Sequence, residues 1–417
     1  MKIKYRLIAL VFILILYAAC TKSAMNTPIT PSSLTPVIAS ISINSGTVGD
    51  TVTITGSNFS PSPDSNTVTF NGVVAVIYSA SPTTLVVVVP SGASSGNVSV
   101  SVNGKSSANT PTFTIAAVNI YIAGSKVSSQ GVPIGVYFRN GVENDVVVGN
   151  MQTDVRSIFV IGSSVYLAGD IVTNGNFIAA YWKNGVATPL TNGAKSGVAY
   201  AIYVSGSDIY VAGSDGDTAK LWKNGVAINL TSGANISAAT SIFVSGSDVY
   251  VAGAAANTPT YWKNGVPISL PYSGNAFIYS IFVSGSDIYA AGYQQNISSV
   301  YLATYWKNGV AINLSDGTDN EKASSVFVAG NDVYVAGSGY SLLNPSVAKY
   351  WKNGVEFALS DSTKPTRTYA IYTSNNNVYT AGIAGSPTVS FSGYWINNNP
   401  VEISGLTDVT AMFIQPG

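Results

Sequence analysis

From about residue 117 to the end, the chain is a succession of short apolar runs separated by small turn-forming residues. The clearest copy spans residues 241–270, SIFVSGSDVYVAGAAANTPTYWKNGVPISL. Ile242-Phe243-Val244 is apolar. Gly246-Ser247 follows, a pair suited to a mirror-image hairpin turn because glycine takes positive φ without steric cost. Val249-Tyr250-Val251-Ala252 is a second run rich in β-branched and aromatic residues. A connection of variable length leads to Tyr261-Trp262-Lys263. Then comes Asn264-Gly265, the dipeptide most closely tied to two-residue hairpins, and a fourth run from Val266. The pattern predicts four strands, with tight turns joining the first to the second and the third to the fourth.

The unit repeats. The Trp-Lys-Asn-Gly element appears as Phe138-Arg139-Asn140-Gly141, then at Trp182, Trp222, Trp262, Trp306 and Trp351, and in altered form at Trp395-Ile396-Asn397. These copies use all six tryptophans of the chain. The second run ends in Ala-Gly at Gly124, Gly169, Gly213, Gly253, Gly292, Gly337 and Gly382. Four strands at a period of about 40–45 residues are a propeller blade. Seven blades over 117–417 are therefore expected. No first run precedes Tyr121, while an unpaired one, Thr410-Ala411-Met412-Phe413-Ile414, ends the chain. The expectation is that 411–414 pairs beside 119–123 and closes the ring, leaving no free sheet edge. The spacing leaves open which strand is innermost. The architecture is similar to kelch- and WD-type propellers, but the double glycine of the first and the Trp-Asp of the second are absent, so no family's site carries over.

The segment 36–116 has a different rhythm. Strict alternation in Thr51-Val52-Thr53-Ile54-Thr55 and Val98-Ser99-Val100-Ser101-Val102, separated by Gly, Pro, Asn and Ser clusters, predicts a small antiparallel sandwich. Gly46-Thr47-Val48-Gly49-Asp50, Gly56-Ser57-Asn58-Phe59, Phe70-Asn71-Gly72, Val89-Pro90-Ser91-Gly92-Ala93 and Gly96-Asn97-Val98 resemble the IPT/TIG family of immunoglobulin-like domains. The resemblance implies a spacer or interaction module. The fold class expected for the whole chain is all-β, a small immunoglobulin-like β-sandwich followed by a seven-bladed β-propeller.

At the N-terminus Lys2, Lys4 and Arg6 precede an apolar stretch, 7–16, that is short for a membrane span. Tyr17-Ala18-Ala19-Cys20 resembles a bacterial lipobox. The resemblance implies a signal peptide over 1–19 and lipidation of Cys20, the chain's single cysteine. Residues 20–35 read as a polar tether. The expected address is the outer membrane of a Bacteroidota-like bacterium, facing the periplasm or the cell surface. The acidic residues that often follow the Cys in surface-exported lipoproteins of that group are missing here.

Composition narrows the chemistry. Charged residues are 9% and the net charge is zero, with no basic stripe, which argues against nucleic acid. The chain has no histidine. That removes Ser-His-Asp and Cys-His catalysis and His-ligated zinc. No catalytic residue, metal or cofactor is expected. The repeated Asp208, Asp248, Asp287 and Asp332 read as turn caps, since Ser164 and Asn377 replace them in other copies. The tryptophans read as packing between blades, because alternation aims Trp away from its Tyr and Lys neighbours.

The connections between strands two and three, and from strand four to the next blade, vary, and they share one face. Tyr293, Tyr301, Tyr340 and Phe391 are placed in the former, and Tyr272, Phe277 and Tyr369 in the latter, as candidate ligand-binding residues. The favoured function is a monomeric binding or adhesion lipoprotein with glycan as ligand. The alternatives are a scaffold for another surface protein and a carboxylate-dependent glycan-cleaving enzyme.

Overall fold

The computed structural model describes residues 34–416 apart from 47–49, 91–92, 117, 341–345, 360–365, 375–376 and 387–388. The expected leader, Cys20 and the expected tether up to residue 33 lie outside the described residues.

The first folded unit is a two-sheet sandwich. One sheet holds Val37–Ile41, Thr51–Ser57, Thr84–Val88 and Val76–Ala80 in that spatial order. The other is built around Gly96–Val102, which pairs with Asn66–Phe70 and Thr112–Ile115. Alternation places Val52 and Ile54 from the first sheet, and Val68, Val98 and Val100 from the second, in one core. Phe70 meets Phe113 edge-on there at 5.1 Å, the geometry that ring quadrupoles favour.

The remainder is a β-propeller: among the described residues it comprises seven four-stranded antiparallel sheets. In the fourth blade the strands are Ala238–Ser245, Asp248–Ala255, Thr258–Lys263 and Val266–Ser269, paired in sequence order. The turn glycines behave as the pattern predicts. Gly246 has φ +59°, and Asn264 and Gly265 have φ +51° and +81°, the mirror-image hairpin conformations. The first strand of each blade is innermost, packing on its counterparts to either side and lining the central channel. The innermost strand of the first blade comes from the C-terminus. Asp408–Pro416 pairs with Val118–Val127, setting Ala411 opposite Ala123 and Gln415 opposite Asn119.

The tryptophans seal the blade interfaces. Trp182, Trp222, Trp262, Trp306, Trp351 and Trp395 are all buried. Each joins a cluster with the alanine and tyrosine of the preceding blade's second strand: Trp262 packs with Ala212 and Tyr210, Trp306 with Ala252 and Tyr250. A small residue in the Val-Ala-Gly strand thus makes room for the indole of the next blade.

The repeated aspartates correct the expectation of turn caps. Asp248 reaches across to the other hairpin: Asn264 Nδ2 donates to it at 2.8 Å, and Lys263 Nζ pairs with it at 2.8 Å. Asn264 Oδ1 accepts from the backbone N–H of Val249. The same clamp recurs at Asp208, Asp287 and Asp332. Where Ile396 replaces the lysine, Asn377 replaces the acid, and the side-chain amides still bond each other.

Candidate ligand site at the mouth of the central channel

Each innermost strand carries one residue more than its partner needs. Pairing slips between Val155 and Ser157, Ala199 and Ala201, Ala239 and Ser241, Ile278 and Ser280, Ala323 and Ser325, and Thr368 and Ala370. In the closing strand the unpaired residue lies between Val409 and Ala411. The extra residues are therefore Arg156, Tyr200, Thr240, Tyr279, Ser324, Tyr369 and Thr410, and all of them line the channel. A β-bulge re-aims a side chain in this way.

The repeated Ala-Gly glycine permits the bulge. A Cβ on Gly169 would sit 1.9 Å from the carbonyl oxygen of Asp154, and one on Gly292 1.8 Å from that of Phe277. All seven glycines face the same close approach, between 1.8 and 2.3 Å. These glycines thus hold a site in place as well as ending a strand.

Nearer the Gly-Ser turns the channel is ringed by aromatics. Phe159, Tyr203, Phe243, Phe282, Phe327, Tyr372 and Phe413 form a closed ring in which each touches the next, with centroids 4.7–5.6 Å apart. Serines just before the ring bind neighbouring blades together, as where Ser241 Oγ accepts from the N–H of Ile281 at 3.0 Å. The bulge residues therefore line the opposite end, on the face of the variable connections.

Two adjoining cavities of about 450 Å³ each open there and share Tyr279, Tyr369 and Thr410. One flank is salt-bridged: Arg156 bonds Asp154 at 2.7 Å and the buried Asp170 at 2.9 Å. Burial pushes the carboxyl of Asp170 up, and Arg156 opposes that shift. Asp408 lies on this flank, its carboxyl raised mainly by burial and further by the charge of Asp154. On the other flank Phe277, Tyr279, Tyr293 and Tyr301 form a chain of ring contacts. The Lys322 ammonium lies 4.7 Å from the ring centres of both Tyr293 and Tyr301. Burial, and then nearby Arg367, lower its pKa. The hydroxyl of Tyr369 is raised mainly by burial and then by the charge of Asp408, with Arg367 opposing the shift.

The sequence-based candidates divide accordingly. Tyr293, Tyr301, Phe277 and Tyr369 come together at or beside the mouth, but on strands: Asp287–Gln295, Tyr301–Lys307, Ala276–Ser284 and Thr366–Ser374. The second and third strands of the blade holding Tyr293 and Tyr301 run further than the apolar pattern indicates, so these two residues sit in paired backbone. Tyr340 and Phe391 likewise fall within strands, and their side chains lie outside the described residues. Tyr272 stays in a connection, 45% exposed, and lines neither cavity. Arg156, Tyr200, Tyr279, Lys322, Arg367 and Asp408 were not among the candidates. The available signal is a residue that differs from blade to blade at one fixed register, just before the repeated Ser/Ala-Ile of the innermost strand.

A structural genomics protein of unknown function from Bacteroides thetaiotaomicron aligns with TM-score 0.39 and 13% identity, over 84% of this chain and 96% of that one. Auxiliary nutrient binding proteins from Bacteroides thetaiotaomicron and Bacteroides ovatus each align with TM-score 0.33, at 11% and 12% identity. They cover 92% of this chain and 98% and 99% of theirs. The sequence has no match among curated proteins. The family model for the IPT/TIG domain matches residues 36–115, the segment that forms the sandwich, and that segment is an IPT/TIG domain.

Proposed function

We propose that the chain is a binding protein whose propeller takes a glycan at the channel mouth, with the IPT/TIG domain as its stalk. The observation that carries this reading is the bulge ring, which gathers Tyr200, Tyr279 and Tyr369 together with Thr240, Ser324 and Thr410 around one opening. Flat aromatic faces stack on sugar rings, and interspersed hydroxyls bond their OH groups. Such a site is concave and held on strands, which suits orienting a bound ligand.

A glycan array read with wild type and with Tyr279→Ser/Tyr369→Ser tests it. Binding lost in the double variant supports the reading. Absence of glycan binding, with a partner protein recovered through the same face, supports the scaffold alternative. A second reading rests on Asp408, a half-buried carboxyl lining one cavity whose pKa is raised by burial and by the charge of Asp154; glycan hydrolysis uses such a raised acid with a second carboxylate. Hydrolysis of a bound glycan, abolished in Asp408→Asn with binding retained, would establish it.

The address proposed for this binder is the outer membrane, facing the periplasm or the cell surface, through a lipid on Cys20. Membrane fractionation of wild type and Cys20→Ser checks it: the wild type is expected in the membrane and the variant in the soluble fraction. Equal partition of both into the soluble fraction would refute it.

A further inference from the structure

We propose that the cavity between Lys322 and Arg367 is an anion subsite, selecting ligands that carry a carboxylate or sulfate group; this deepens the glycan reading and rests on it for the sugar part. The two cations share one cavity of about 450 Å³ with Tyr279, Tyr369, Ser324 and Ser338, and among the described residues no Asp or Glu lines it. Most other described cations of this propeller are salt-bridged; Arg139, Lys183 and Lys195 are not. Lys223, Lys263, Lys307 and Lys352 each hold an aspartate, Lys349 holds Glu321 and Glu356, and Arg156 holds Asp154 and Asp170. Among the described residues neither Lys322 nor Arg367 has a carboxylate within 4 Å.

The site is also built. Lys322 is half-buried and held by the faces of Tyr293 and Tyr301, and Arg367 lines the same cavity as Tyr369. Two like charges lining one recess repel, and half-burial adds to the cost for Lys322, whereas Arg367 is exposed. A fold that keeps them there without a counter-charge is arranged for one that arrives from outside. The guanidinium supplies planar paired donors and the ammonium a point charge, a combination that fits carboxylate or sulfate. Neutral sugars lack the charge that would offset the repulsion. The flank that carries Arg156, Asp154 and Asp408 would meet the rest of the ligand, and the shared Tyr279 and Tyr369 would stack on it.

The test uses the whole folded chain with two sets of probes. Inorganic sulfate and glucuronate are titrated while thermal stability is followed. Oligogalacturonate, its neutral methyl ester and a sulfated galactan oligosaccharide are then titrated by calorimetry. Wild type is compared with Lys322→Gln, Arg367→Gln and the double variant. The expectation is that wild type binds the acid or the sulfate ester at least about tenfold more tightly than the methyl ester, with affinity falling as salt rises. In the double variant, acid and ester should bind alike. A preference for carboxylate over sulfate ester, or the reverse, would assign the natural group.

The proposal is overturned if wild type does not distinguish acid from ester, or if no anionic probe distinguishes wild type from the double variant. Neutral glycan bound equally by both proteins would leave the glycan reading standing without the anion subsite. Sulfate or glucuronate stabilising wild type alone, with no oligosaccharide bound, would establish the anion subsite and overturn the glycan reading.

Discussion

Phe413 packs against Phe159 with ring centroids 5.1 Å apart, so a residue four from the C-terminus completes an aromatic ring begun at the second blade. The contact joins the ends of the propeller on the channel side, while Ala411 opposite Ala123 joins them in the sheet. Ring closure is therefore both a hydrogen-bonded and a packed feature. Phe413→Ala should destabilise by roughly 2–3 kcal/mol, below the ~3–5 of a fully buried phenylalanine because Phe413 borders the channel. Deletion of residues 409–417 should cost far more and broaden the melting transition. An unchanged, equally sharp transition in the deletion would show that the ring does not depend on this strand.

Glycines at two registers should fail for different reasons. Gly292→Ala places a Cβ 1.8 Å from the backbone oxygen of Phe277, which cannot move without flattening the bulge that aims Tyr279. A loss of about 2–4 kcal/mol is expected, as for overpacking against backbone. Gly265→Ala meets nothing within 4 Å but sits at φ +81°. Its cost should be near 1 kcal/mol, from backbone conformation alone. Equilibrium denaturation of both variants checks the order; equal losses would remove the steric account of the Ala-Gly motif.

Much of this architecture is legible in the chain because the repeat states it several times over. Asn264-Gly265 and Gly246-Ser247 encode turns locally, and Trp262 marks a packed register whose partner lies one repeat earlier. The site is not legible in the same way. Tyr279 and Tyr293 are fourteen residues apart in sequence and meet only because a bulge turns one toward the channel beside the other. Bulge position depends on strand pairing, and the glycine that permits it reads from sequence as a strand terminator. Lys322 and Arg367 belong to different blades, so their shared cavity arises from curvature of the whole ring.

The indoles offer a finer test of packing. Trp262→Ala should cost about 3–5 kcal/mol, since the ring is fully buried against the third blade. Replacement by phenylalanine separates two positions. Trp306 Nε1 donates to the carbonyl of Pro271 at 2.8 Å, whereas Trp262 Nε1 is buried without a partner. Trp306→Phe strands an acceptor; Trp262→Phe removes an unpaired donor. The former should be costlier by about 1 kcal/mol. Denaturant midpoints measured for the two variants give the difference directly, and a reversed order would contradict this assignment of hydrogen bonds.

The blade clamps set how the propeller responds to acid. Hydrogen bonds from Lys223, Lys263 and Lys352, then from the neighbouring asparagines, hold Asp208, Asp248 and Asp332 below the usual carboxylate range. Asp287 is held down by Asn308 first and Lys307 second. In the unfolded chain each would titrate near ~3.9. Between that value and the lower folded one, the unfolded state binds more protons, so stability falls as pH falls. The clamps' contribution is complete above about pH 4 and disappears as pH drops through the folded values. Asp170, Glu321 and Asp408, raised by burial, act at higher pH and with opposite sign. A variant with all four clamp aspartates changed to asparagine should melt below wild type at pH 6. Its melting temperature should decline less steeply from pH 4 to pH 2, and the two curves should converge. Parallel curves over that interval would mean that the Lys–Asp contacts, all at the solvent-exposed rim, contribute nothing that depends on charge.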